Sequence, residues 1–283
     1  MKSNAVSICT SMVTAITMLN YDFVINALAA GGIVAVVAGA VGFFLVLRGQ
    51  AFAGHALSHV GFAGATGAVL IGLSPFWGLA ALTLAAGIAM GFLGERVSGR
   101  DVAIGMVLSL SLGLGLLFLH FYTSFATQAT SLLFGNVFAI DSATVYLLGV
   151  LGVVCLIALG VIARPLLFVT LQPELAEAKG VSPRLLSVLF MAIVAVAVAE
   201  AAQIVGVLLV FTLMIGPAAA AQRLSTRFGH AILLTVLFGL GEAWLGVTLA
   251  YYSDWPCSFW ITTLSGAVYF ISLAQAKFVG AVG

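Results

Sequence analysis

His55 and His59 stand four residues apart in Gly54-His55-Ala56-Leu57-Ser58-His59, inside a run that is otherwise almost wholly apolar. On a helix that spacing puts both imidazoles on one face, about 6 Å apart at Cβ, close enough to share a metal ion. Neutral imidazoles are also tolerated as hydrogen-bonded groups in a packed bundle, so the residues alone leave a translocation role and a structural role open. Two carboxylates, Glu200 and Glu242, fall inside other apolar runs. A carboxylate at such depth needs a partner, a proton or a metal. Glu242 lies roughly midway along its run; Glu200 lies towards the outer end, where snorkelling to the mouth is as good a reading as ligation.

The same spacing frames zinc peptidase sites, but that chemistry needs the general base of HExxH, and Ala56 follows His55. Serine proteolysis of the rhomboid type is equally weak, since Leu264-Ser265-Gly266 lacks the preceding glycine and no histidine follows it. None of the lysines follows a GxxxxGK[ST] loop, so the chain carries no P-loop for ATP hydrolysis. The chain is expected not to be an enzyme.

The elements that must hold these groups are membrane helices. Of 283 residues, 63% are hydrophobic and 7% charged, and the mean hydropathy is +1.25. Such a chain lacks the polar residues to cover a water-facing surface. The expected fold is an all-α polytopic membrane protein. A net charge of +1 suggests no nucleic-acid partner. Cys9, Cys155 and Cys257 are widely spaced with no CxxC and read as free thiols.

A bilayer core needs about 20 apolar residues per helix. Charges interrupt the apolar runs to leave candidate spans at 23–47, 52–73, 76–95, 102–121, 143–163, 185–200, 203–222, 230–252 and 258–276. The 185–222 region, with two short segments parted at Ala201-Ala202, reads as a full span followed by a broken or re-entrant one, giving eight or nine transmembrane helices. Arg48, Arg96, Arg100, Arg164, Lys179, Arg184, Arg223, Arg227 and Lys277 all fall on one side of this map, which is therefore cytoplasmic. Asp22, Ser74-Pro75, the stretch 122–141 and Asp254 fall on the other. From Arg48, eleven residues of helix would carry His59 ~16 Å into the bilayer, near its centre. His120, Asp141 and Asp254 read as outer surface residues, and His230 as interfacial on the cytoplasmic side.

Residues 1–22 read as an N-terminal interfacial segment and 23–277 as a single transmembrane domain. Gly61, Gly64 and Gly67, with Gly87 and Gly91, have the spacing of tight helix packing and need no further role. On the cytoplasmic side, TLQPELAEAKGVSP predicts a short helix started by Pro173, with Glu174 and Glu177 near its N-terminus and Gly180 ending it. Such a helix suits docking against another protein, and a solvated loop is the plainer alternative. Outside, ATSLLFGNVFAI (129–140) is apolar but too short to span and predicts a short outer interfacial helix.

Taken in order, VLRGQAFAGHALSHVGFAG, SLLFGNVFAI, LQPELAEAKGVSP and VGVLLVFTLMIGPAAAAQRLS resemble the membrane permease subunit of metal-type ABC importers for zinc or manganese. The resemblance covers about 23–275. It implies a homodimer in the cytoplasmic (inner) membrane, cytoplasmic ABC ATPase subunits and an extracytoplasmic metal-binding protein. Pro173, Glu174, Glu177 and Gly180 would then belong to the coupling helix that seats in the ATPase. No permanently bound cofactor is implied, only a transported ion meeting His55 and His59, with Glu242 and Glu200 as further candidate ligands. Many members resemble Gly-Asp-x-x-x-His where this chain has His55, so an imidazole replaces a hard carboxylate and preference leans to Zn²⁺, with Mn²⁺ possible. Pro256-Cys257-Ser258 is a second departure, from a Pro-Ser-Gly-like turn. The rival reading is a proton-coupled secondary metal transporter working through Glu200 or Glu242 without an ATPase.

Overall fold

The computed structural model describes residues 21–93, 100–121, 133–207 and 209–282. Residues 1–20 of the N-terminal segment expected over 1–22, and 122–132 of the outer stretch 122–141, lie outside them; the described part of the helix expected over 129–140 holds a 3-10 turn, Val137–Ala139. Among the described residues there is no strand. The helices are α1 (Asp22–Leu47), α2 (Ala51–Leu70), α3 (Pro75–Leu93), α4 (Arg100–His120), α5 (Ser142–Leu171), α6 (Pro173–Ala178), α7 (Pro183–Val205), α8 (Val210–Leu224), α9 (Phe228–Ser253) and α10 (Cys257–Val282).

Local sequence explains where these helices start and stop. The Asp141 carboxylate accepts from Thr144 N at 3.0 Å and caps α5. Those hydrogen bonds from Thr144 hold the Asp141 carboxyl below its ordinary range. Ser182 caps α7 in the same way, accepting from Leu185 N at 3.3 Å, with Pro183 in the first turn. Pro173 opens α6, and Gly180, at φ +79°, turns the chain away behind it.

Each of the nine expected ranges coincides with a helix, but three details differ. α5 does not stop at 163: it runs through Arg164 and Pro165 to Leu171. Arg164 is exposed on it and can reach the interface, and an interior proline removes only one backbone donor. The parting at Ala201-Ala202 is also incorrect, since α7 continues unbroken to Val205 and the chain breaks at Gly206, at φ +77°. A Cβ at Gly206 would strike the backbone of Leu133 and Gly135, so only glycine fits the outer loop packed there. Finally, seven helices among the described residues are long and apolar enough to cross a membrane, whereas α2 and α8 are not among them. α8 is too short at 15 residues. α2 has 20, diluted by His55, Ser58, His59 and Thr66.

Both of those exceptions contact α1. α1 packs against α9, α8, α5 and α7, and α2 against α3, α4 and α7. The most apolar windows of α1 and α7 are 78% and 72% buried by the rest of the chain, against 22–33% for the other long helices. Small residues permit this closeness, as expected: a Cβ on Gly64 would meet the backbone of Gly78, and one on Gly87 the carbonyl of Met191.

Candidate metal-relay site

α2 begins after a tight turn. Gly49 takes φ +65°, Gln50 precedes the first helical residue Ala51, and His59 stands eight residues above it. The rise from the helix start is therefore ~12 Å, rather than the ~16 Å of an unbroken helix from Arg48. The pair still lies well inside the bundle.

The two imidazoles meet as the spacing requires, with ring centroids 4.8 Å apart and planes at 87°. His59 is 7% exposed and His55 half-buried. Neither Nδ1 has a hydrogen-bond partner. Phe211, the second residue of α8, packs its ring 5.1 Å from that of His55. Spacing along the chain does not announce this neighbour, because the contact depends on the break at Gly206 and on where α8 restarts. Ser58, between the histidines, turns its hydroxyl back to His55 O at 2.7 Å and offers no bond to either ring.

The two carboxylates lie elsewhere. Glu200, on α7, is 1% exposed, and neither oxygen has a hydrogen-bond partner. It does not snorkel: it is walled in beside Gly152 and Cys155 of α5 and borders an apolar cavity of about 270 Å³ lined by Phe76, Trp77 and Leu151. Glu242, on α9, is 2% exposed and likewise unbonded at both oxygens. Ser265 is a polar neighbour of it, but the Ser265 hydroxyl donates to Thr212 O at 3.3 Å. Among the described residues, no group of three or more His, Cys, Asp or Glu side chains is placed to hold a metal. Within one chain the histidines form a two-ligand pair, and the carboxylates do not complete it.

The remaining polar candidates are peripheral. Asp22, His120, Asp141, His230 and Asp254 are all exposed. Asp254 ends α9 in the left-handed region, at φ 56°, and with Tyr251, Trp255 and Phe138 borders an outer cavity of about 560 Å³. Cys155 and Cys257 are buried free thiols. α6 buries Ala176 completely and exposes Glu174, Leu175 and Glu177.

The family model described as the ABC 3 transport family matches residues 20–276. The chain belongs to the ABC 3 transport family. Relatives within reach of it include the manganese transport system membrane protein MntC of Listeria innocua, 28% identical over 260 residues and covering 92% of each chain. The manganese import system permease protein ScaB of Streptococcus parasanguinis is 30% identical over 252 residues, 89% of each. The chelated iron transport system membrane protein YfeC of Yersinia pestis is 28% identical over 251 residues, 88% of this chain and 85% of its own. Among solved structures, PsaBC from Streptococcus pneumoniae in complex with Fab superposes with a TM-score of 0.85 at 27% identity, covering 96% of this chain and all of the other. As an ABC 3 family member with seven long apolar helices, the protein is a multi-pass protein of the cytoplasmic membrane. Membership disfavours the proton-coupled secondary transporter.

Proposed function

We propose that the chain is the permease subunit of an ATP-driven importer of a divalent metal ion, in which His55 and His59 meet the ion on its way through. The carrying observation is the pair of edge-to-face imidazoles, inside the bundle on a helix too polar to count among the long apolar spans, with unpartnered Nδ1 atoms. Unpaired polar groups inside a membrane protein are costly and mark pathways. The pathway is formed by nine crossings, counting the buried α2 and the short α8 that follows the break.

Two ligands leave coordination positions open. That suits transit, because a closed four-ligand site would retain the ion. A homodimer would bring a second pair, and the half-exposed edge of His55 is the side from which it could be met. Imidazole in place of a carboxylate favours zinc over manganese. The manganese and chelated-iron names of the relatives make this a contrast between family members. Glu200 and Glu242 stand apart as secondary polar points on the bundle.

The ATP-driven step belongs to separate ATPase subunits, and α6 is the segment offered to them, with Ala176 as its anchor and Glu174, Leu175 and Glu177 facing outward. An extracytoplasmic binding protein delivers the ion. The test is ATP hydrolysis by the reconstituted complex with its binding protein, loaded with zinc or with manganese. Stronger stimulation by zinc is expected, and stimulation by manganese alone would overturn the zinc assignment. Leu175→Glu is expected to abolish stimulation by either metal, with the ATPase no longer co-purifying.

A further inference from the structure

Arg48 is the last residue before the turn into α2, yet it is only 9% exposed. Nη1 donates to Thr170 Oγ1 at 3.1 Å, and Nη2 donates to Ser187 Oγ at 3.0 Å. The guanidinium also lies over the ring of Phe190, 5.5 Å from its centroid. Thr170 is three residues before the first residue of α6, and Ser187 nine residues after its last. One side chain thus grips both stems of the cytoplasmic excursion that carries α6. Covalently it sits seven residues before His55, with only Gly49 and Gln50 between it and the start of α2.

We propose that Arg48 is the positioning residue through which movement of α6 reaches the histidine pair, so that ATPase engagement and ion handling are coupled through its two hydroxyl contacts. The inference rests on reading α6 as the ATPase contact. The geometry suits transmission. α5 and α7 cannot part or slide at their cytoplasmic ends without pulling on Arg48, and the tight turn at Gly49 leaves little slack before α2. Lysine cannot reproduce the arrangement, because a point-like ammonium lacks the planar fork that reaches two acceptors on different helices while covering an aromatic face.

The experiment uses the complete complex of permease, ATPase and binding protein in liposomes, measuring radiolabelled zinc imported per ATP hydrolysed. Arg48→Lys is expected to assemble and to keep basal ATPase activity and zinc binding, while ATP consumed per ion rises about tenfold, within the 5–150-fold range of coupling between sites. Should Arg48→Lys fail to assemble, the double variant Thr170→Val with Ser187→Ala removes both acceptors, leaves the guanidinium over Phe190, and carries the same expectation. A native ratio of ions to ATP in the variant that assembles, whatever its thermal stability, would overturn the coupling role and leave Arg48 a structural staple. Leu175→Glu run alongside separates the two levels. If that variant keeps a stimulated, co-purifying ATPase, the reading of α6 fails and takes the Arg48 proposal with it. If it loses the ATPase while Arg48→Lys stays fully coupled, only the Arg48 proposal falls.

Discussion

The histidine pair on α2 and the buried carboxylates on α7 and α9 are all ionisable groups set among apolar residues, yet the fold treats them differently. His55 and His59 face each other at 4.8 Å between ring centroids, with Phe211 against one edge. Glu200 and Glu242 are buried apart, with no hydrogen bond to any of their four oxygens. Two ligands on one helix are brought together by the helix itself, since i and i+4 side chains are neighbours whatever surrounds them. Ligands on separate helices meet only if packing carries them there. Here α7 turns Glu200 towards α5, and α9 turns Glu242 towards α10.

The sharpest way to break this contrast is to remove the imidazoles. His59→Ala and His55→Ala are each expected to cut zinc uptake by on the order of 100-fold while the complex still assembles, since loss of even the groups supporting metal ligands costs 10–100-fold. Full uptake by either variant would reduce the pair to a structural one. A smaller change tests the choice of metal. His55→Asp puts a hard carboxylate in place of one imidazole, and the ratio of zinc to manganese uptake is expected to fall about tenfold, equivalent to ~1.4 kcal/mol. Smaller still are the isosteric changes Glu200→Gln and Glu242→Gln, for which uptake is expected to stay within about twofold, under ~0.5 kcal/mol. If either abolished transport, that carboxylate would join the pathway and the contrast would dissolve. The smallest effect is at Asp141. Its folded carboxyl titrates below the ordinary value because of the Thr144 hydrogen bonds, so its stabilising contribution is present above about pH 4 and is lost as pH falls below that. A melting curve of Asp141→Asn in detergent is expected to lose that portion of the acid dependence and little else.

Much of the bundle was legible from the chain alone. Charge placement marked nine helical ranges, and the glycines at 61, 64, 87 and 91 announced close packing that the contacts of Gly64 with Gly78 and of Gly87 with Met191 bear out. Punctuation by Pro173 and Gly180 marked the start and stop of α6. The misjudged boundaries had a common cause. Arg164-Pro165 looked like an end because charge and proline interrupt local pattern, but the exposed face of α5 tolerates both. Ala201-Ala202 looked like a gap because short apolar segments carry no register, while the true break at Gly206 is set by the backbone of Leu133 and Gly135 pressing against it.

By itself the sequence determined the polytopic all-helical class and the histidine pair, because hydropathy and i, i+4 adjacency act over one helix at a time. Only the tertiary structure decided that Glu200 and Glu242 stay away from that pair, that Phe211 meets His55, and that Arg48 ties both stems of α6 to the turn before α2. Those facts depend on how helices are rotated and stacked against one another, and the rotation of a helix that is apolar all round leaves almost no trace in the order of its residues.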